Sequence, residues 1–396
     1  MIRAQQLFLL SLWGASSIGC GSGSTYPGAN ASASEQGDAG SVCDPKGPIP
    51  CFEDIAEPCK GIHSGYDGDE YCRAAPDPSV GFQIHVGPSD YTNPDEVAKY
   101  LAKPGDELNW AQTVVTPNDS TIYWDGYYSY MRPGSHHFIL FGMPPGSAPP
   151  ASSGPAMNGS GTEAAAGALG GDFLAGATVT VQDAMPYDPE SKGAATEVAP
   201  HSSYAVNLHF INTQDHPLLQ EIWVNFHEIA EADILHWKRA ITWYGGLGMN
   251  IPPGTTYTLS SKGAACTPPQ GATNMQIEGV TGHVHANTVE YSASMQRNGQ
   301  TIPLFQDFDW HEPREFRYNS IENNGTPDAT TKTPGGYSGV LQIQPTDTFS
   351  WECEGYNKSN VNLTFSNKVF TGEMCNVFGF YQTDTKSAGP WTCAFF

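Results

Sequence analysis

Five of the twelve histidines in this chain stand in patterns that suit metal chemistry. In the segment Gly282-His283-Val284-His285, strand alternation puts both imidazoles on one side, close enough to chelate a single ion. In Ser203 to Phe210, the apolar residues Tyr204, Val206, Leu208 and Phe210 share one face, so Asn207 and His209 project from the other. His136-His137 opens the apolar run Phe138-Ile139-Leu140. Adjacent strand residues point apart, so joint ligation by this pair requires a β-bulge or a twist at the strand end. Taken singly, an HxH pair on a strand is more often structural than ligating, and so is a lone histidine. Together they offer five imidazoles with no thiolate or carboxylate cage. Such a set suits copper, zinc or iron, and one added thioether tilts it towards copper. A methionine is therefore the ligand to look for. The remaining histidines (His63, His85, His201, His216, His227, His236, His311) read as structural or solvated, with His227 at a surface position. The acidic run 307–312 reads as a polar rim loop rather than a cation site.

The elements that must carry these side chains are strands. From about Val80 onward, period-two alternation recurs at 121–124, 137–141, 203–211, 221–229 and 361–365, broken by Gly, Pro and Asn clusters. Short strands at this spacing predict antiparallel β-sandwiches. One helix is expected over 95–103, just after Pro94. Segments 144–171, 264–272 and 323–336 read as loops, the first long enough to be an insertion or lid. A domain junction is expected at 230–233.

The chain has 396 residues, with 18 Lys+Arg against 41 Asp+Glu, a formal charge of −23. That balance, with no basic stripe, argues against a nucleic-acid partner. Charged residues make up 15% of the chain, against roughly 25% in ordinary soluble domains, which points to export. The N-terminus agrees: one early cation (Arg3), an apolar run over 7–13, and Ser17-Ile18-Gly19-Cys20, which resembles a lipobox. Residues 1–20 thus read as a signal peptide, Cys20 as a lipidation site, and 21–42 as a flexible tether. The anchor would be the sole membrane contact, placing the protein in the cell envelope; ordinary cleavage would make it secreted. Of nine cysteines, eight remain after Cys20. Four lie within a Cys-rich segment, 43–77 (Cys43, Cys51, Cys59, Cys72), and four lie late (Cys266, Cys353, Cys375, Cys393). Without a CxxC pair, two bridges in each group is the simplest reading, and the early four allow three pairings.

The ordered phrases His136-His137-Phe-Ile-Leu-Phe-Gly, Asn207-Leu-His209, Gly282-His-Val-His285 and Gly372-Glu-Met374-Cys375-Asn376 resemble those of the copper type II, ascorbate-dependent monooxygenases. That family is represented by peptidylglycine α-hydroxylating monooxygenase and dopamine β-hydroxylase. The resemblance covers roughly residues 80–396. It implies an all-β chain of two jelly-roll sandwiches, 78–229 and 230–396, facing each other across a copper-binding cleft. It implies two copper ions per chain: one electron-storing, held by His136, His137 and His209, and one oxygen-binding, held by His283, His285 and Met374. It also implies the bridges Cys353–Cys375 and Cys266–Cys393, the first locking the Met374 strand beside its neighbour. Ascorbate or a similar small reductant, O2 and a small-molecule substrate are the implied partners.

The match breaks at the substrate. The peptide-hydroxylating members carry an Arg two residues before the HxH and a Tyr four after the Met; here Thr281 and Phe378 stand there, while Asn376 is kept. Without the bidentate cation, a peptidylglycine carboxylate loses its main partner. A neutral, partly apolar substrate beside Asn376, Phe378 and Thr281 is expected instead. The competing readings are a non-catalytic, tethered copper-binding lipoprotein on the same fold, or a glycan-active module. The latter needs paired carboxylates, and the motif segments supply only Glu373.

Overall fold

Alternating apolar and polar residues give each strand one face to bury, and the chain buries these faces in two separate cores. The computed structural model describes residues 55–143, 156–157, 173–178, 181–183, 190–263 and 266–396. All belong to one unit, Cys43–Phe396. The signal segment, Cys20, the tether, Cys43, Cys51 and most of the 144–171 insertion lie outside the described residues. The fold is all-β, of the jelly-roll sandwich kind. No helix among the described residues is long and apolar enough to cross a membrane.

Three large sheets build most of it, beside two small two-stranded ones. One five-stranded sheet runs Ala156–Met157, Glu107–Val115, Ser203–Ile211, Ser135–Gly142, Phe173–Ala177. A second runs Thr256–Ser260, Thr348–Tyr356, Thr288–Arg297, Gln300–Asp307, Gly335–Gly336. Between them lies a long sheet whose path begins at Gly81–Val86, Ile222–Glu228 and Ile122–Met131, passes through Ala194–Val198, and ends with His236–Tyr244, Cys375–Thr383, Gln276–Val284 and Glu315–Arg317. The first core gathers Phe82, Trp110, Trp124, Phe138, Leu140, Val206 and Phe226. The second gathers Ile241, Trp243, Val280, Trp351, Val377 and Trp391. A 3-10 turn, Glu231–Asp233, lies in the segment 230–233.

Two expectations need correction. The sheets are not wholly antiparallel: along the edge of His236–Tyr244 opposite Cys375–Thr383, the strand pairs in parallel with Ala194–Val198 at its start and with Trp391–Ala394 at its end. The first of these pairings continues one sheet from the first sandwich into the second. It arises because the short 3-10 turn sets His236 beside Ala194. The helix foreseen over 95–103 is one turn, Pro94–Val97, capped by Asn93, and then a 3-10 turn, Ala98–Tyr100. Leu101–Ala102 leaves it as a strand to pair with Leu218–Leu219, so pairing overrides helical propensity there.

The late bridges form as expected, Cys266–Cys393 and Cys353–Cys375, with Cα–Cα distances of 5.6 and 5.9 Å. Their placement differs from expectation. Cys353 and Cys375 lie in opposed sheets, so the bridge crosses the second core rather than joining neighbouring strands. Among the early cysteines Cys59 pairs with Cys72, at 5.4 Å between Cα atoms. Disulfides of this number belong to an oxidising compartment.

The Cys59–Cys72 segment is tied to the first sandwich through a buried charge. Arg132 and Glu221 are both fully buried, with Arg132 Nε 2.7 Å from Glu221 Oε2. Glu221 Oε1 also accepts from Tyr91 (2.6 Å) and contacts His85 Nε2 at 2.7 Å. Arg132 reaches outward to Asp69 at 3.0 Å and donates to the Asp67 carbonyl at 3.0 Å. Removing one partner strands a buried charge, so Arg132→Ala is expected to cost about 3–5 kcal/mol in urea denaturation. Burial raises the Asp69 carboxyl, but hydrogen bonds from Ser64 and Arg132 outweigh it and hold the group below its ordinary 3.8. Its contribution is therefore complete above pH 3.8 and fades as pH falls through the lower folded value. Asp69→Asn should flatten that acid limb; an unchanged acid profile refutes this account.

Candidate metal centre

The faces turned away from the two cores meet, and the histidines sit where they meet. On Ser135–Gly142, Phe138 and Leu140 enter the first core, so His137, Ile139 and Phe141 face outward. On Ser203–Ile211, Tyr204, Val206 and Leu208 face in, which turns Asn207 and His209 out as expected. On Cys375–Thr383, Cys375, Val377 and Tyr381 enter the second core, whereas Phe378 faces the first sandwich. Ile139, Phe141, Phe173, Ala240, Tyr244 and Phe378 form the apolar contact between them. Lys238, also buried there, pairs with Glu278 at 3.2 Å and donates to the Asp125 carbonyl.

The adjacent pair His136-His137 is reconciled by the bulge its sequence demanded. His209 pairs with His137, but the next residue, Phe210, pairs with Ser135, so His136 is the extra residue. Both imidazoles then face the same side, and candidate ligand atoms of His136, His137 and His209 lie within 4.8 Å of one another. All three are buried. On the other sandwich, His283 lies opposite Asn376 and Val284 opposite Cys375. One step further along this register, the N–H groups of His285 (2.6 Å) and Met374 (2.9 Å) both donate to Glu373 Oε1. Glu373 Oε2 accepts from Tyr257 at 2.8 Å. Burial pushes the Glu373 carboxyl up to about 7, despite the hydrogen bonds it accepts.

The two sets do not stand apart across open space. His137 and His283 are in ring contact, with centroids 4.7 Å apart. An ion about 2.0–2.1 Å from each ligating nitrogen holds two imidazole centroids roughly 4.5–6.4 Å apart. The pairs His136–His137 (5.1 Å), His136–His209 (5.3 Å), His137–His209 (5.1 Å) and His283–His285 (5.6 Å) all have that spacing. Burial, and then the neighbouring histidines, push His136, His137 and His285 well below the ordinary imidazole value, so they stay neutral as metal binding requires. His136 Nδ1 and His209 Nδ1 are buried with no hydrogen-bond partner among the described residues. Buried donors or acceptors left this way are costly, and an ion would satisfy them. The residues present therefore fit a metal.

Supporting contacts fix the rings. Asn207 Oδ1 lies 3.3 Å from His137 Nε2. Glu107 Oε1 lies 3.2 Å from His209 Nε2 and accepts the Val369 N–H at 2.8 Å, clamping a segment of the second sandwich to a ligand of the first. Glu107 had no signal in the sequence, because only the pairing of Ile211 with Glu107 brings it there. The residues expected to receive substrate are adjacent but differently disposed. Thr281 is half-buried and pairs with Phe378. Asn376 Oδ1 accepts from Gly245 N at 3.3 Å. Phe378 is buried, stacked on Phe173 at 5.4 Å and 5.8 Å from the His283 ring. Phe378 and the partly buried Phe380 pack in the apolar contact with the first sandwich.

One of the other histidines departs from expectation: His227 is not a surface group but pairs with the buried Asp125 at 2.7 Å. His311 is exposed, as expected, and its ring centroid lies 5.9 Å from that of His136.

No known protein-family model matches the chain, and no curated protein sequence matches it. Among solved structures, it is similar to the major capsid protein P2 of bacteriophage PM2, at 8% identity and TM-score 0.29, covering 78% of this chain and 100% of that one. It is similar also to a triple jelly-roll protein of an archaeal virus, at 7% identity and TM-score 0.18, over 80% of this chain and 61% of that one. A third is PNGF-II, at 8% identity and TM-score 0.23, over 85% and 65%. The sheet pairing above, not these loose likenesses, defines the fold, and the imidazoles define the chemistry.

Glu373 anchors two backbone N–H groups and one hydroxyl, so Glu373→Gln should cost about 1–3 kcal/mol of stability. It should also weaken metal binding at His283 and His285 while leaving the His136, His137, His209 set intact, as read by titration of the apo chain. Equal loss at both sets would contradict the assignment. Metal at 100 times its dissociation constant should stabilise the fold by roughly 2.7 kcal/mol, measured as a chelator-reversible rise in Tm.

Proposed function

We propose that this chain is an exported copper-dependent monooxygenase that hydroxylates a C–H bond of a small organic substrate. The observation that carries this reading is the meeting of two buried imidazole sets, one from each sandwich, through the 4.7 Å contact of His137 with His283. When bound, copper supplies one-electron chemistry and dioxygen activation. His136, His137 and His209 hold the electron-storing ion, and His283, His285 and Met374 hold the oxygen-binding one. The soft Met374 thioether favours the reduced metal. Glu373 sets the spacing of His285 and Met374, and Glu107 and Asn207 orient His209 and His137. Apolar burial around Phe378 and Phe173 excludes bulk water from the region where substrate carbon would react. Thr281 and Phe378 offer no cation for a carboxylate, so the substrate class is neutral and partly apolar, not peptidylglycine. Ascorbate or a similar small reductant delivers the electrons singly, and Cys20 lipidation tethers the enzyme.

A second reading, a non-catalytic tethered copper-binding protein, draws support from the burial of Asn376 and Phe378. Oxygen uptake separates the two. With ascorbate and neutral aromatic substrates, the chain carrying two coppers should consume O2, and Met374→Ala should lose hydroxylation while keeping copper at the three-histidine set. Near-complete activity in Met374→Ala defeats the oxygen-site assignment, and rapid peptidylglycine turnover defeats the substrate class. Cys20→Ala should move the protein from the membrane fraction to the soluble one.

A further inference from the structure

Every imidazole of the two ligand sets is buried, from 4% exposed at His136 and His283 to 0% at His285. An ion arriving from solvent therefore needs a first ligand outside these sets. His311 is the histidine that continues the array outward. Its side chain is 59% exposed. Its ring lies 5.9 Å from His136 at an interplanar angle of 31°, a separation that one shared ion can span. From there the array continues through His136 to His137 and His209, and from His137 to His283 and His285, with neighbouring centroids 4.7–5.6 Å apart.

The loop carrying His311 is built to hold it there. The buried Asp307 carboxylate accepts the N–H groups of Phe308 (2.7 Å), Asp309 (3.2 Å) and Arg314 (2.7 Å). Asp309 Oδ1 accepts those of His311 (2.9 Å) and Glu312 (3.2 Å), and Tyr291 donates to the Asp309 carbonyl at 3.0 Å. Trp310, on the same loop, lies 5.7 Å from the His136 ring and 6.2 Å from Phe370. A rigid loop of the second sandwich thus places an exposed imidazole and an indole over the outermost ligand of the first. The acidic side chains around His311, half-exposed Glu312 among them, raise the local concentration of cations.

We infer that His311 is the loading ligand of the metal centre: copper is captured at His311, transferred to His136, His137 and His209, and reaches His283, His285 and Met374 only through that set. The inference rests on the copper reading above. Its test does not use activity. Metal-free full-length chain is mixed with Cu(II) in a stopped-flow instrument, protein fluorescence quenching is followed, and bound copper is counted at equilibrium. The wild type should load in two ordered phases, with Trp310→Phe removing much of the quenching in the first. His311→Ala should reach the same final copper content but load both phases roughly 10- to 100-fold more slowly, the range in which one supporting group alters metal affinity. Free imidazole should restore its rate. Full occupancy at an unchanged rate in His311→Ala overturns the inference while leaving the copper reading intact. A wild-type chain that takes up no copper overturns both.

Discussion

Five imidazoles packed between two β-sheets, out of reach of water, are the constraint on which the rest of this structure depends. Burial keeps His136, His137 and His285 neutral, because it disfavours the charged imidazolium. Their ring nitrogens still seek partners, and His136 and His209 each retain a nitrogen that no described residue satisfies. A protein tolerates such a defect where a ligand removes it. The spacing of the rings suits a small ion.

The architecture serves this arrangement at each level. Two apolar cores fix which face of each strand turns outward, and the outward faces carry the ligands. One continuous sheet, made by the parallel pairing of His236–Tyr244 with Ala194–Val198, sets the two sandwiches against each other. The Cys353–Cys375 bridge holds the strand beginning beside Met374 to the opposite sheet of its own sandwich. Glu107 and Glu373 contribute in a similar way. Each carboxylate joins a ligand histidine to a backbone N–H from elsewhere in the chain, so ligand position is tied to the assembly of sheets rather than to any single loop.

The closeness of the two histidine sets changes what the resemblance to copper monooxygenases implies. Ligand sets facing each other across a cleft would exchange electrons over a gap. Here the rings of His137 and His283 touch, and Phe378 and Asn376 are covered instead of lining open space. The proposed chemistry therefore joins a short electron path to a substrate position walled by aromatic side chains. Thr281, paired with Phe378, is half-buried.

The sequence by itself determined whatever follows from local alternation. It determined the β class, the faces of His209, His283 and His285, and the need for a bulge at His136-His137, because side-chain direction in a strand has a period of two residues. The late disulfide pairing and the ligand grouping came through the resemblance. What depends on register between distant strands was decided only by the tertiary structure. Glu107 meets His209 because Ile211 pairs with Glu107, and no spacing along the chain encodes that. His311 read as a solvated rim residue because its neighbours are polar, yet the fold sets it over a buried histidine from the other sandwich. The separation of the two ligand sets was likewise invisible. It depends on how two outward faces pack, and packing is a property of surfaces that the chain assembles only when folded.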